Sequence, residues 1–111
     1  MEVKITEHER FVSITPAGEM DANTSLQVDE KIQEWIDKNK YNFHVDCSEL
    51  EYISSAGVGV FLSFQDEVES NSGKFVFSNM SENIFQVFEL LGLHLFMKIV
   101  PSEAEAEKEF N

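Results

Sequence analysis

Two adjacent serines, Ser54 and Ser55, stand in the segment Asp46 to Val60, DCSELEYISSAGVGV, between a run of strand character and an apolar helical run. At a strand-to-helix junction a hydroxyl is exposed, and the first N–H groups of the helix have no partner within it. Those N–H groups and the helix dipole favour negative charge, so the chemistry on offer is the carriage of an anion, such as a phosphate ester on a serine. The ordinary alternative is an N-cap, which either serine can supply. A nucleophilic serine would need a base. His8, His44 and His94 are scattered without a spacing that suggests one, and there is no G-x-S-x-G elbow. Catalysis is therefore not expected, nor is a metal or cofactor, since no ligand set with metal spacing is present.

Around the serine pair, Gly57 and Gly59 form a lone G-x-G without the third glycine of a dinucleotide loop or a nearby basic residue. Each weakens a helix by about 1 kcal/mol relative to alanine. Their presence points to close backbone packing or room for a partner. Asp21 and Asp46 each follow a run of strand character. Either acid can hold a turn or a cap, or can stand beside the serines if the strand ends share one edge of the sheet. Cys47 is the only cysteine, which fits a reducing compartment and a plain packing role.

The elements that must position these residues follow from periodicity. Val3 and Ile5, then Phe11 to Thr15, alternate on either side of EHER and predict an antiparallel hairpin. Pro16 and Gly18 punctuate the chain, and Asn23 or Thr24 can cap a helix over about Ser25 to Lys38 with a stripe of Leu26, Val28, Ile32, Trp35 and Ile36. Tyr41, Phe43, Val45 and Cys47 predict a strand, and Glu49 to Ile53 a short loop. A helix from Ser55 carries Val58, Phe61, Leu62, Phe64 and Val68. Lys74 to Ser78 is a strand, and a third helix runs to Gly92, with the Phe85 to Phe96 run expected in the core. Leu95 to Val100 predicts a last strand. Pro101 opens an acidic helix that only Ala104, Ala106 and Phe110 can anchor. The sum is a single α/β domain over residues 1–111: a mixed, mostly parallel sheet of about five strands entered through an N-terminal β-hairpin, with about four helices.

Composition narrows the partners. The 21 acidic residues against 8 basic ones give a formal charge of −13, which repels nucleic acid and anionic membrane. Neither a signal peptide nor a membrane span is visible, so a cytoplasmic protein is expected.

Three segments carry a family resemblance. They are Gly18-Glu19-Met20-Asp21, then Val45-Asp46-Cys47-Ser48 with Tyr52-Ile53-Ser54-Ser55-Ala56-Gly57-Val58-Gly59-Val60, and Ile84-Phe85 through Leu90-Leu91-Gly92-Leu93. Together they resemble the STAS domain, specifically the small anti-sigma factor antagonists of bacteria. The resemblance implies a partner switch. The unmodified domain binds an anti-sigma factor that is also a serine kinase, phosphorylation from ATP ends the binding, and a metal-dependent serine phosphatase restores it. In the family's D-S-(S/T)-G pattern the serine after the aspartate is modified. On YISSAG this makes Ser55 the acceptor, with Ser54 at the aspartate position and Ala56 at the next hydroxyl position. Asp21, Asp46, Ser54, Ala56, Gly57 and Gly59 become the expected partner-binding surround. The resemblance also admits a non-switching STAS module, a scaffold or a transport-accessory subunit.

Overall fold

The turn at EHER reverses the chain between β1 (Glu2–Glu7) and β2 (Val12–Met20), which pair antiparallel from Glu2 opposite Ala17 to Glu7 opposite Val12. The structure, a computed structural model, describes residues 1–111. Helix α1 (Ser25–Ile36) leads to β3 (Asn42–Asp46), β4 (Leu50–Ile53), α2 (Ser55–Ser70), β5 (Lys74–Ser78) and α3 (Glu82–Leu90). A 3-10 turn at Leu93–Leu95, β6 (Lys98–Val100) and α4 (Glu103–Lys108) complete the chain. The six-stranded sheet runs β1-β2-β3-β5-β6, with β4 beside β2, and every pairing after the hairpin is parallel.

Two expectations about β2 and its neighbour need correction. Residues Glu49 to Ile53 are not a loop throughout, because β4 occupies Leu50–Ile53. Its burial runs in, out, out, in, so the alternation that announces a half-buried strand is missing. Likewise β2 does not stop before Pro16. It continues through Pro16 and Gly18 at the place where its parallel partner changes, from β3 over Val12–Ile14 to β4 over Gly18–Met20. Pro16, which has no N–H to give, falls in the gap between these two parallel ladders, and the break in register falls inside the second. Gly18 has φ 104°, and the ladder shifts between Gly18 and Glu19.

The pleat sends alternate side chains to opposite faces. Phe43, Val45, Phe75 and Phe77 join the main core with residues of α1, α2 and α3, where the Phe77 ring centroid lies 5.1 Å from Phe61 and 5.4 Å from Phe88. On the other face Val76 packs with Ala106 of α4 and with Phe110 just past its end, and Phe11 stacks on Phe110 at 4.7 Å. Ala104 is exposed and is not one of the anchors.

The apolar stripes also have exposed members, Leu26 on α1 and Leu62 on α2. The largest departure is the Phe85 to Phe96 run. Phe88 and Leu93 are buried, but Leu90, Leu91, Leu95 and Phe96 are exposed. Leu90 still belongs to α3 but lies on the face turned away from buried Ile84 and Phe88, and past Gly92, at φ 73°, a 3-10 turn replaces the helical period and leaves Leu95 and Phe96 outside. The last strand accordingly begins only at Lys98.

Candidate functional site

Strand β4 delivers the serine pair to the end of β2. Tyr52 lies opposite Glu19 and Ile53 opposite Met20, and one residue further on the Ser54 N–H donates to the Met20 carbonyl at 2.9 Å. Asp21 and Ser54 thus leave neighbouring strand ends side by side. Helix α2 starts hard against this pairing. A Cβ on Gly57 would lie 2.8 Å from Ile53 Cγ1 and 2.9 Å from the Met20 carbonyl oxygen, so only glycine fits without displacement. At Gly59 a Cβ would meet nothing within 4 Å, and packing does not explain that glycine.

The two serines divide their roles. Ser54 is extended and caps the helix: its hydroxyl oxygen accepts the Gly57 N–H at 3.2 Å and its carbonyl the Val58 N–H at 3.0 Å. Ser55 is then the first residue of α2, with an exposed side chain. The N–H groups of Ser55 and Ala56 precede any carbonyl that could accept them within the helix. No acidic residue stands in the first turn. A negative group on Ser55 therefore meets donors, and no opposing charge, on its own helix.

Asp21 holds the neighbouring turn. Its Oδ1 accepts the N–H groups of Asn23 and Thr24, each at 2.9 Å, with the Thr24 hydroxyl 3.1 Å away. That hydroxyl accepts the Asp21 N–H at 2.9 Å and reaches the Glu19 carbonyl, and Thr24 makes no side-chain cap to α1. The Thr24 N–H first, then the Asn23 N–H, hold the Asp21 carboxyl below the usual carboxylate range. The acid is ionised at the strand end next to Ser54.

Asp46 does not join this group along the sheet. Its strand pairs with β2 only as far as Val45 opposite Ile14, roughly 20 Å of extended strand short of Met20. There its carboxylate accepts the Ser48 N–H at 3.0 Å and the Asn79 amide at 3.1 Å. Burial opposes its charge, yet the bonds from Ser48 and Asn79 outweigh burial and lower its pKa. Asn79 serves Asp46 from a left-handed backbone at φ 57°, and the cap of α3 falls to Ser81, which accepts the Ile84 N–H at 3.2 Å. A residue type tolerant of left-handed backbone was the available signal for Asn79.

The histidines are engaged elsewhere. His44 is buried, with Nδ1 3.2 Å from the Ser13 hydroxyl and Nε2 2.6 Å from that of Ser78. His8 stacks on Phe11 at 4.5 Å, in the turn at the opposite end of β2 from Met20, and His94 packs edge-on to Phe85. Cys47 is buried, which pushes its thiol up to about 12. No group of three potential metal ligands forms. The surface depressions lie away from the serines. One of about 230 Å³ is lined by residues such as His8, Arg10, Tyr41 and Asn42, and none includes Asp21, Ser54 or Ser55. The serine junction is an open surface, and exposed Tyr52 and Glu19, opposite each other on β4 and β2, adjoin it. Sequence reasoning missed that pair because β4 lacks strand periodicity.

The sequence matches the STAS domain family over residues 2–106. This chain belongs to the STAS domain family. An anti-sigma-B factor antagonist of Listeria monocytogenes is 30% identical to this STAS domain over 94 residues, spanning 85% of this chain and 82% of that protein. The anti-sigma factor antagonist SpoIIAA in its unphosphorylated form is 26% identical, with a TM-score of 0.84 over 97% of this chain and 95% of the other. In its phosphorylated form the same protein gives 25% identity and a TM-score of 0.76 over 99% and 100%. An anti-sigma factor antagonist of Mycobacterium paratuberculosis shares the fold, with a TM-score of 0.88 at 16% identity over 98% and 92%. In the STAS fold of this chain, then, the junction of β4 and α2 presents one capping serine and one exposed serine.

Proposed function

We propose that this STAS domain is an anti-sigma factor antagonist working as a partner switch. In its unmodified form it binds an anti-sigma factor that is also a serine kinase, and so releases that factor's target. Phosphorylation of Ser55 ends the binding, and a metal-dependent serine phosphatase restores it. The kinase's need for ATP sets the exchange in the cytoplasm. The domain itself is a regulator and supplies no catalytic group.

The observation that carries this reading is the division between the serines. Ser54 is committed to the cap, while Ser55 is exposed at the first helical position beside two unpaired N–H groups. The antagonist relative in Listeria and the two forms of SpoIIAA support the same class of function. A phosphate on Ser55 adds about 1.5 to 2 negative charges. The N–H groups of Ser55 and Ala56 can accommodate it, so the domain stays folded and the effect falls on the partner. A surface that covered Ser55 would have to desolvate the phosphate close to ionised Asp21, on a chain that already carries a charge of −13. Moving an equilibrium from mostly bound to mostly free takes roughly 5 kcal/mol. Burial of an uncompensated charge reaches that magnitude. The absence of a depression at the serines suits a protein partner better than a small ligand.

The test is incubation with a serine kinase of the anti-sigma factor class that binds this chain, and with ATP, followed by intact-mass spectrometry. One added phosphate that disappears in Ser55→Ala is expected. Unchanged mass, or labelling that survives Ser55→Ala, would overturn the assignment.

A further inference from the structure

The apolar patch at the end of α3 includes none of the residues assigned to the serine junction. Leu90, Leu91, Leu95 and Phe96 are 86%, 48%, 75% and 77% exposed. They lie on one short stretch held by backbone bonds: Gly92 N–H to the Glu89 carbonyl at 2.9 Å and Phe96 N–H to the Leu93 carbonyl at 3.0 Å. Beneath them Leu93 and Met97 are buried, so the stretch is anchored and the exposed side chains are presented on fixed backbone. Such a patch, on the order of 500 Å², is at the upper end of what a monomer leaves open without a use.

Area and charge choose the occupant. A stable dimer buries about 800 Å² per partner, more than these side chains offer. A second copy would also bring another −13 charge to the contact. The surroundings are acidic: α3 carries Glu82 and Glu89 and no basic residue, and the nearby cation Lys98 is paired with Glu109 at 3.7 Å. An amphipathic helix that places a few apolar residues at i, i+3, i+4 and i+7 fits an area of this size, and basic residues on its flanks would complement the acids. We propose that Leu90, Leu91, Leu95 and Phe96 form a docking surface for a cationic amphipathic helix of a partner protein.

The probe is a synthetic helical peptide of leucines at that spacing with lysines elsewhere, titrated into the full chain and followed by backbone amide NMR. A lysine-serine peptide of equal charge is the control. The leucine-lysine peptide should shift the amides of residues 90–96 and bind at least tenfold more weakly to the Leu90→Ser/Phe96→Ser double variant, whose substitutions fall on exposed positions. The control peptide should leave those amides unmoved. Equal effects of both peptides, or equal affinity for the double variant, would reduce the binding to general charge attraction and overturn the proposal. Sedimentation that shows a dimer lost in the double variant would assign the patch to a second copy. Binding to phosphatidylcholine vesicles, lost in that variant, would assign it to a membrane. Either result overturns the occupant named here.

Discussion

The Ser54 N–H donates to the Met20 carbonyl at 2.9 Å, and that bond ties the end of β4 to the end of β2 immediately before Asp21 on one side and Ser55 on the other. It explains how an acid and a serine far apart in the sequence come to share one edge. Ser54 has a further task as the cap of α2, and the two serines should separate cleanly under mutation.

Ser54→Ala removes the acceptor for the Gly57 N–H, and a lost cap costs about 1 kcal/mol. Urea denaturation should register that loss, while intact-mass spectrometry should still find one phosphate after kinase treatment. For Ser55→Ala the pattern inverts: stability changes by less than about 0.5 kcal/mol, as at other exposed positions, and phosphorylation disappears.

Ser55→Asp places a carboxylate where α2 has no acid of its own and where N–H donors are free. The far-ultraviolet circular dichroism should match that of the unsubstituted chain. Calorimetric titration with the kinase should show binding weakened at least tenfold. Undiminished affinity would argue against exclusion of the partner by charge.

The two helix glycines should respond with opposite signs. Gly59→Ala meets no neighbour and gains helix propensity, so stability should rise by about 1 kcal/mol. Gly57→Ala forces a methyl against the Met20 carbonyl and Ile53, and a loss of about 1–3 kcal/mol is expected in the same denaturation experiment.

His44 gives the fold a pH dependence. Burial holds its pKa below the ordinary 6.5, against the pull of Asp46, Glu103 and Glu107 and with the help of His8. The unfolded chain therefore takes up the proton first as pH falls. The stability held above pH 6.5 declines as the pH drops from there toward the lower folded value. Urea midpoints should be lower at pH 5.5 than at pH 7.5. In His44→Gln the difference between the two should shrink, whatever its absolute stability.

Much of this architecture was legible in local pattern. Alternation marked the hairpin, Lys74 to Ser78 read as a strand, and Gly92 marked the stop of α3. The helix start at the serine pair was legible as well, because the serines and the helical run behind them are local, although the strand in front of them read as a loop. The features that escaped depend on contacts between distant segments. Leu50 to Ile53 becomes a strand only because β2 is free to take a new partner past Gly18. Which serine caps α2 depends on the Met20 carbonyl, and Gly57 differs from Gly59 only through Ile53 and Met20. Asp46 and Ser55 are near in sequence, yet β3 and β4 meet different stretches of β2. The exposure of Leu90, Leu91, Leu95 and Phe96 was hidden because an apolar run reads as core until it is known which helix face the neighbouring elements cover.

The change of partner along β2 has a mechanical consequence. Strands β3 and β4 are laid end to end against it, so the short ladder that carries the serines shares no hydrogen bonds with the ladder inside the sheet. Its side chains are not separate in the same way: Leu50, Ile53 and Val58 are buried in one core with Phe61, Phe77 and Phe88, and α3 packs on β4. The serine junction is therefore held by its side chains and not by the ladder inside the sheet, and a kinase must meet Ser55 where it stands, exposed on a fixed helix start.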